Sequence, residues 1–120
     1  NAFFPQYMGE AGFDVLAMDA IEVPSHKVQE LPERTAYAHI KRSFRRSGGA
    51  DAVYILGSGW RTLDIIAKLE GELGVPVVHP VTARAWEMCE RLRIHKPVMG
   101  YGRLLEKMLR RDMRQHVGRE

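Results

Sequence analysis

A chain of 120 residues, 45% of them hydrophobic, is long enough for one core, and a domain of this size buries roughly two-thirds of its unfolded surface. Its single cysteine, Cys89, excludes an internal disulfide and a cysteine-based zinc site, which needs several thiolates, and such thiol usage fits a reducing, cytoplasmic setting. The net charge of +3 is modest, and no apolar run approaches the roughly 18 to 20 residues that span a bilayer.

The chain opens on Asn1, and Phe3, Phe4 and Tyr7 follow at once, as though a helix had been entered part-way. We expect a domain cut from a longer protein, with Asn1-Ala2 either a tag remnant or a processed terminus. An initial helix runs to about Glu10 and Gly12 closes its turn. Phe13-Asp14-Val15-Leu16-Ala17-Met18, a short apolar run bounded by glycine, reads as a first strand. Ala20 to Leu31 reads as a long connection. Pro32 suits the first turn of a helix, and Glu33 suits the positive end of its dipole. Ala36, Ile40 and Phe44 recur on one face of that helix, which Ser47-Gly48-Gly49 ends.

Ala52-Val53-Tyr54-Ile55-Leu56 is a continuous apolar run, the pattern of a parallel strand covered on both faces. The turn Gly57-Ser58-Gly59 follows, then a helix from about Thr62, marked by Leu63, Ile66, Leu69 and Leu73 and closed by Gly74. Val75-Pro76-Val77-Val78 reads as the third strand. Thr82 is a candidate cap for a helix carrying Trp86, Cys89 and Leu92 on one face, and Lys96-Pro97 breaks it. This alternation predicts an α/β fold: an open parallel sheet of three to four strands with flanking helices, the fourth near Val98-Met99. From Arg103 onward six basic residues face three acidic ones, but no aromatic is interleaved to stack bases and an ordinary apolar stripe runs through. Residues 106–120 therefore read as a basic helical tail, with neither nucleic acid nor membrane as a partner.

In an open α/β sheet, ligands bind beyond the carboxyl ends of the strands, where backbone N–H groups are unpaired. Gly57-Ser58-Gly59 lies there, and its glycines permit positive φ and close backbone approach. A carboxylate or phosphate is the natural guest, although two glycines can also serve a tight turn alone. A nucleotide fits poorly: the third glycine of the dinucleotide fingerprint is missing, the next strand ends in His79 rather than an acid, and no Gly-Lys-Ser/Thr exists. His79 falls on the same sheet edge as the turn, either bordering the site or as a surface or loop histidine. Cys89, mid-helix, reads as a packed small hydrophobe. His26, His39, His95 and His116 share no metal-ligand spacing, so no metal is expected.

The stretch from Asp51 through Gly57-Ser58-Gly59-Trp60-Arg61-Thr62-Leu63-Asp64 to Ile66, with Leu69-Glu70, Leu73-Gly74-Val75-Pro76-Val77-Val78, Trp86 and Gly100-Tyr101-Gly102-Arg103-Leu104-Leu105, resembles the maleate isomerase and arylmalonate decarboxylase group of the Asp/Glu racemase superfamily. The resemblance extends to about Leu105 and is to the C-terminal half. It implies one flavodoxin-like lobe, residues 1–105, of a two-lobed enzyme that closes over a small carboxylate without metal or organic cofactor. The missing N-terminal lobe would be its partner, or a second copy pairing as a homodimer in its place.

In the group each lobe presents a catalytic cysteine, or a small polar substitute, at a strand end. By resemblance the C-terminal one falls on Gly57, and the backbone N–H groups that hold the substrate carboxylate fall on Ser58 and Gly59. Glycine can neither add to an alkene nor deliver a proton, and the Ser58 hydroxyl is a poor acid that needs an adjacent base. Tyr101 matches a signature position, either as a packed ring or as a substrate contact. The expectation is thus a lobe that acts on a (di)carboxylic acid by isomerisation or decarboxylation, with catalytic side chains supplied elsewhere. The alternative is a lobe that binds or senses a carboxylate without catalysis.

Overall fold

The computed structural model describes residues 3–57 and 59–107. Two apolar runs pair as parallel strands. Val53–Tyr54 (β1) lies beside Val77–Val78 (β2), with Val53 opposite Val77 and Tyr54 opposite Val78. The Val53 amide donates to the Pro76 carbonyl and the Ile55 amide to the Val78 carbonyl, each at 2.9 Å. Parallel pairing demands a crossover. Here it is a 3-10 turn, Leu63–Ile65, followed by helix α3, Ile66–Leu73. Around these, in chain order, stand α1 (Phe3–Glu10), α2 (Glu33–Arg46), α4 (Pro80–Leu92) and α5 (Arg103–Glu106).

The class is α/β as expected, but the sheet has two strands among the described residues, not three to four. Phe13–Met18 is irregular, with Phe13, Leu16 and Met18 exposed. A run apolar on both faces makes a central strand only where both faces are covered, and here one side faces outward. Val98–Met99 is irregular too, because the Val98 amide is taken by the Leu105 carbonyl at 3.1 Å. That hydrogen bond ties the segment to α5 instead of the sheet.

The core is small. Ile40 from α2, Ile55 after β1, Ile66 and Leu69 from α3, and Val77 from β2 form one buried cluster. Ala36 and Ile40 are the buried residues of α2, on the face read from their spacing, while Phe44 is half-buried. Across the α2–α3 seam, Lys41 and the Tyr37 hydroxyl share the Glu72 carboxylate, the lysine at 2.8 Å. Hydrogen bonding by Lys41, then Tyr37, holds the Glu72 carboxyl below its usual range, and the same pairing raises Lys41. Such exposed pairs add little to stability.

Helix ends follow local chemistry with three departures. Gly74 closes α3 at φ +73°, its amide donating to Glu70 at 2.9 Å. The helix after the glycine turn begins at Ile66, later than the expected Thr62, because Leu63–Ile65 winds tighter. α4 begins at Pro80 with His79 as its cap, not at Thr82; the buried Thr82 hydroxyl instead donates to the His79 carbonyl at 2.9 Å. It ends at Leu92, before Lys96-Pro97, where Arg93 takes φ +58°.

The glycine pair near α5 is structural. Gly102 has φ +104°, and a Cβ there would sit 2.7 Å from Ile66 Cγ2 and 2.9 Å from Glu70 Oε1. This close approach lets both oxygens of the buried Glu70 carboxylate accept the Arg103 amide at 2.9 Å, at the start of α5. The Val77 amide also points to it, at 3.4 Å. Residues 108–120, most of the basic tail read from the sequence, lie outside the described residues. Among the described residues no helix is long and apolar enough to cross a membrane.

Candidate functional site

Because β1 and β2 run in parallel, their carboxyl ends share one edge, and the chain leaves β1 toward Gly57 and β2 toward His79. Gly57 has φ +107°, a conformation that L side chains rarely adopt, although a Cβ would meet only the Trp60 ring at 3.7 Å. Gly59 faces the Val28 side chain, where a Cβ would stand 3.7 Å from Cγ1. Val28 belongs to a 3-10 helix, Ser25–Glu30, so the long connection predicted from sequence folds back beside the turn. Ser58 lies outside the described residues.

Among the described residues, no acceptor takes the amides of Gly57, Gly59, Trp60 or Arg61, whereas the next amide, that of Thr62, donates to the Trp60 carbonyl at 3.1 Å. The Thr62 hydroxyl is buried without a partner among those residues. Beside the turn opens a cleft of about 480 Å³, lined by Gly59, Trp60, Arg61, Asp64 and His79, with Glu33 from the first turn of α2. Sequence reasoning missed Trp60, Arg61, Asp64 and Glu33 as lining residues. Trp60 and Arg61 directly follow the flagged turn and carried a signal; Glu33 is brought in only by tertiary packing.

His79 is not a surface histidine; it stands in the connection between β2 and α4, as the cap of that helix. It is 1% exposed, and its two ring nitrogens are both engaged. Nδ1 accepts the Val81 amide at 3.1 Å, capping α4, and Nε2 stands 3.1 Å from the Trp60 carbonyl. Burial pushes its pKa below the ordinary value, with the Trp60 carbonyl opposing. The imidazole is therefore neutral at pH 7. The Trp60 ring in turn stacks on His39 at 6.0 Å, and His39 donates to the Asp19 carbonyl at 3.2 Å.

The remaining candidates lie elsewhere. Cys89 is half-buried in the last turn of α4 and does not line the cleft. Tyr101 is 42% exposed and does not line the cleft. Among the described residues no group of three His, Cys, Asp or Glu side chains is placed to hold a metal ion.

Chemically, the edge offers hydrogen-bond donors without a local acid. Free amides at a positive-φ turn suit an anion. The cleft wall carries one guanidinium, Arg61, against two carboxylates, Glu33 and Asp64, so an anionic group is accommodated on the amide side and repelled on the other.

A family model described as arylmalonate decarboxylase matches residues 1–105. A solved arylmalonate decarboxylase carrying a glycine-to-cysteine and a cysteine-to-serine substitution, in its liganded form, superposes with a TM-score of 0.79 at 23% identity, covering 87% of this chain and 45% of that one. A second arylmalonate decarboxylase structure gives 0.74 at 24% identity, with 86% and 46% covered. A glycine-to-cysteine variant in a sulfate-associated form gives 0.77 at 23%, with 86% and 45% covered. The fold is shared, and the chain spans less than half the length of these proteins. The search of curated proteins returns no match.

Proposed function

The chain belongs to the arylmalonate decarboxylase family, and from that premise we propose that it is the C-terminal lobe of a cofactor-independent enzyme acting on a small mono- or dicarboxylic acid. A carboxylate is held by backbone amides of the Gly57-Ser58-Gly59 turn. The observation that carries this reading is the set of amides at Gly57, Gly59, Trp60 and Arg61 without acceptors among the described residues, opening on a cleft at the carboxyl edge of the sheet.

In a decarboxylation the C–C bond to the departing CO₂ breaks and its electron pair stays on the α-carbon, which then takes a proton. Holding the remaining carboxylate by N–H donors stabilises that charge as it spreads onto oxygen. Nothing at Gly57 can deliver the proton, and the neutral, doubly bonded His79 is not free to do so. We assign the proton donor instead to the N-terminal lobe of a two-lobed parent. The exposed Tyr7, Phe13, Leu16, Tyr54 and Leu56 support this, since so much outward apolar surface asks for cover. Acting as a maleate cis-trans isomerase, the chain would use the same cradle, with the added nucleophile again from the other lobe. A cytoplasmic setting accords with the single thiol.

The second reading, a non-catalytic carboxylate-binding or sensing lobe, is favoured by the glycine at position 57. To separate them, the chain joined to an N-terminal lobe is assayed against maleate, aryl- and alkylmalonates and amino-acid enantiomers, with the chain alone expected to be inactive. Turnover of a malonate or maleate supports the enzyme. Binding without turnover supports the sensor, and neither binding nor turnover overturns both.

A further inference from the structure

The His79 ring meets the Trp60 backbone at the carboxyl edge of the sheet. Nδ1 of His79 accepts the Val81 amide, so it carries no proton, and in the neutral ring the hydrogen is on Nε2, which faces the Trp60 carbonyl at 3.1 Å. A carbonyl can only accept. Two independent contacts thus select one tautomer. Trp60 lies between this histidine and the turn: its carbonyl is held by His79, and its indole Cδ1 and Nε1 lie 3.7 Å from where a Gly57 Cβ would be. Its outer side stacks on His39 of α2.

We propose that His79 is a positioning residue, whose Nε2–H fixes the Trp60 carbonyl and, through the Trp60 ring, sets where Gly57 stands in its turn. It anchors that turn to the N-terminus of α4, the element that follows β2, so the two strand ends are clamped to each other at the point where a ligand would enter. The clamp stands on geometry alone, and its service to a carboxylate rests on the function proposed above. The charged groups on the cleft that His79 also lines are Glu33 of α2, Asp64 of the 3-10 turn and Arg61 of the loop. Protonation of the ring puts an N–H on Nδ1, which then opposes the Val81 N–H and breaks the α4 cap.

The test uses the full chain, labelled with ¹⁵N. Long-range ¹H–¹⁵N correlation of the His79 ring reads the tautomer directly at pH 7; a protonated Nε2 and bare Nδ1 are expected, and the opposite tautomer overturns the proposal without any substitution. Two variants then split the ring's two jobs. His79→Asn keeps an acceptor over the Val81 amide but is too short to reach Trp60, whereas His79→Gln reaches as far as Nε2 and gives up the cap.

The Gly57 and Gly59 amide resonances should move in His79→Asn and stay near their original positions in His79→Gln. Malonate, as the probe, should bind about tenfold more weakly to His79→Asn, the scale of one lost hydrogen bond, and within about threefold of the parent to His79→Gln. Unmoved glycine resonances in His79→Asn overturn the proposal. If the parent itself shows no response to malonate while the glycine resonances behave as stated, the clamp stands and the carboxylate reading falls.

Discussion

Two glycine turns in this molecule are built from the same parts and left in opposite states. At Gly102, positive φ and close approach bring a backbone amide, that of Arg103, onto both oxygens of a buried carboxylate supplied by Glu70. At Gly57, positive φ again turns the chain at the edge of the sheet, yet the amides around it meet no acceptor among the described residues. One turn is closed on an internal anion; the other opens on a cleft. The comparison teaches that a glycine turn with free amides suits a carboxylate, and that Glu70 does internally what a guest would do at Gly57–Gly59.

Substitutions can break this pairing from its closed side first. Gly102→Ala forces a Cβ to within 2.7 Å of Ile66 Cγ2 in a backbone conformation that side chains avoid, and should cost about 2–5 kcal/mol in a urea unfolding curve. Glu70→Gln keeps the shape but removes the charge from the Arg103 amide, and a loss of about 1–3 kcal/mol is expected by the same measurement. If Gly102→Ala were as stable as the parent, the close approach would not exist in solution.

At the open turn the effect shifts from stability to binding. Gly57→Ala meets only ordinary contact at 3.7 Å, so its cost comes from φ +107° alone, about 1–2 kcal/mol. Malonate affinity, measured by calorimetry, should fall more than that stability loss explains. The same strain bears on the thiol that the family resemblance puts here: a cysteine at 57 would require the turn to relax.

Smaller still is the pH response of the clamp. The folded-state pKa of His79 is below its ordinary value of 6.5, so the unfolded chain binds the proton more readily. Stability from His79 is therefore complete above about pH 6.5 and is lost as the pH falls through the lower folded value. Urea midpoints of the parent should drop on acidification through that window, with a shallower drop in His79→Asn. The smallest effect belongs to the exposed Lys41–Glu72 pair, where Lys41→Ala should leave the urea midpoint nearly unchanged.

What could be read from the sequence was whatever local chemistry decides. The end of α2 before Ser47-Gly48-Gly49, the Gly74 cap and the apolar faces at Ala36 and Ile40 follow from residues close along the chain. The parallel pair and the shared edge of Gly57 and His79 followed from strand-helix alternation. The expected first strand failed because Phe13–Met18 is apolar without being covered, and coverage is a tertiary property. His79 was placed at the right edge but its burial was not visible, since a histidine cap looks like any loop histidine until Val81 and Trp60 are in place. Glu33 in the cleft had no local signal at all.

The central claim is that a carboxylate sits on the amides of the open turn, and a crystal structure of the chain with malonate tests it most directly. A malonate carboxylate is expected within about 2.7–3.2 Å of backbone nitrogens in the Gly57–Arg61 segment, with the Trp60 carbonyl still on His79. Malonate bound elsewhere, with those amides turned away from it, would contradict the account.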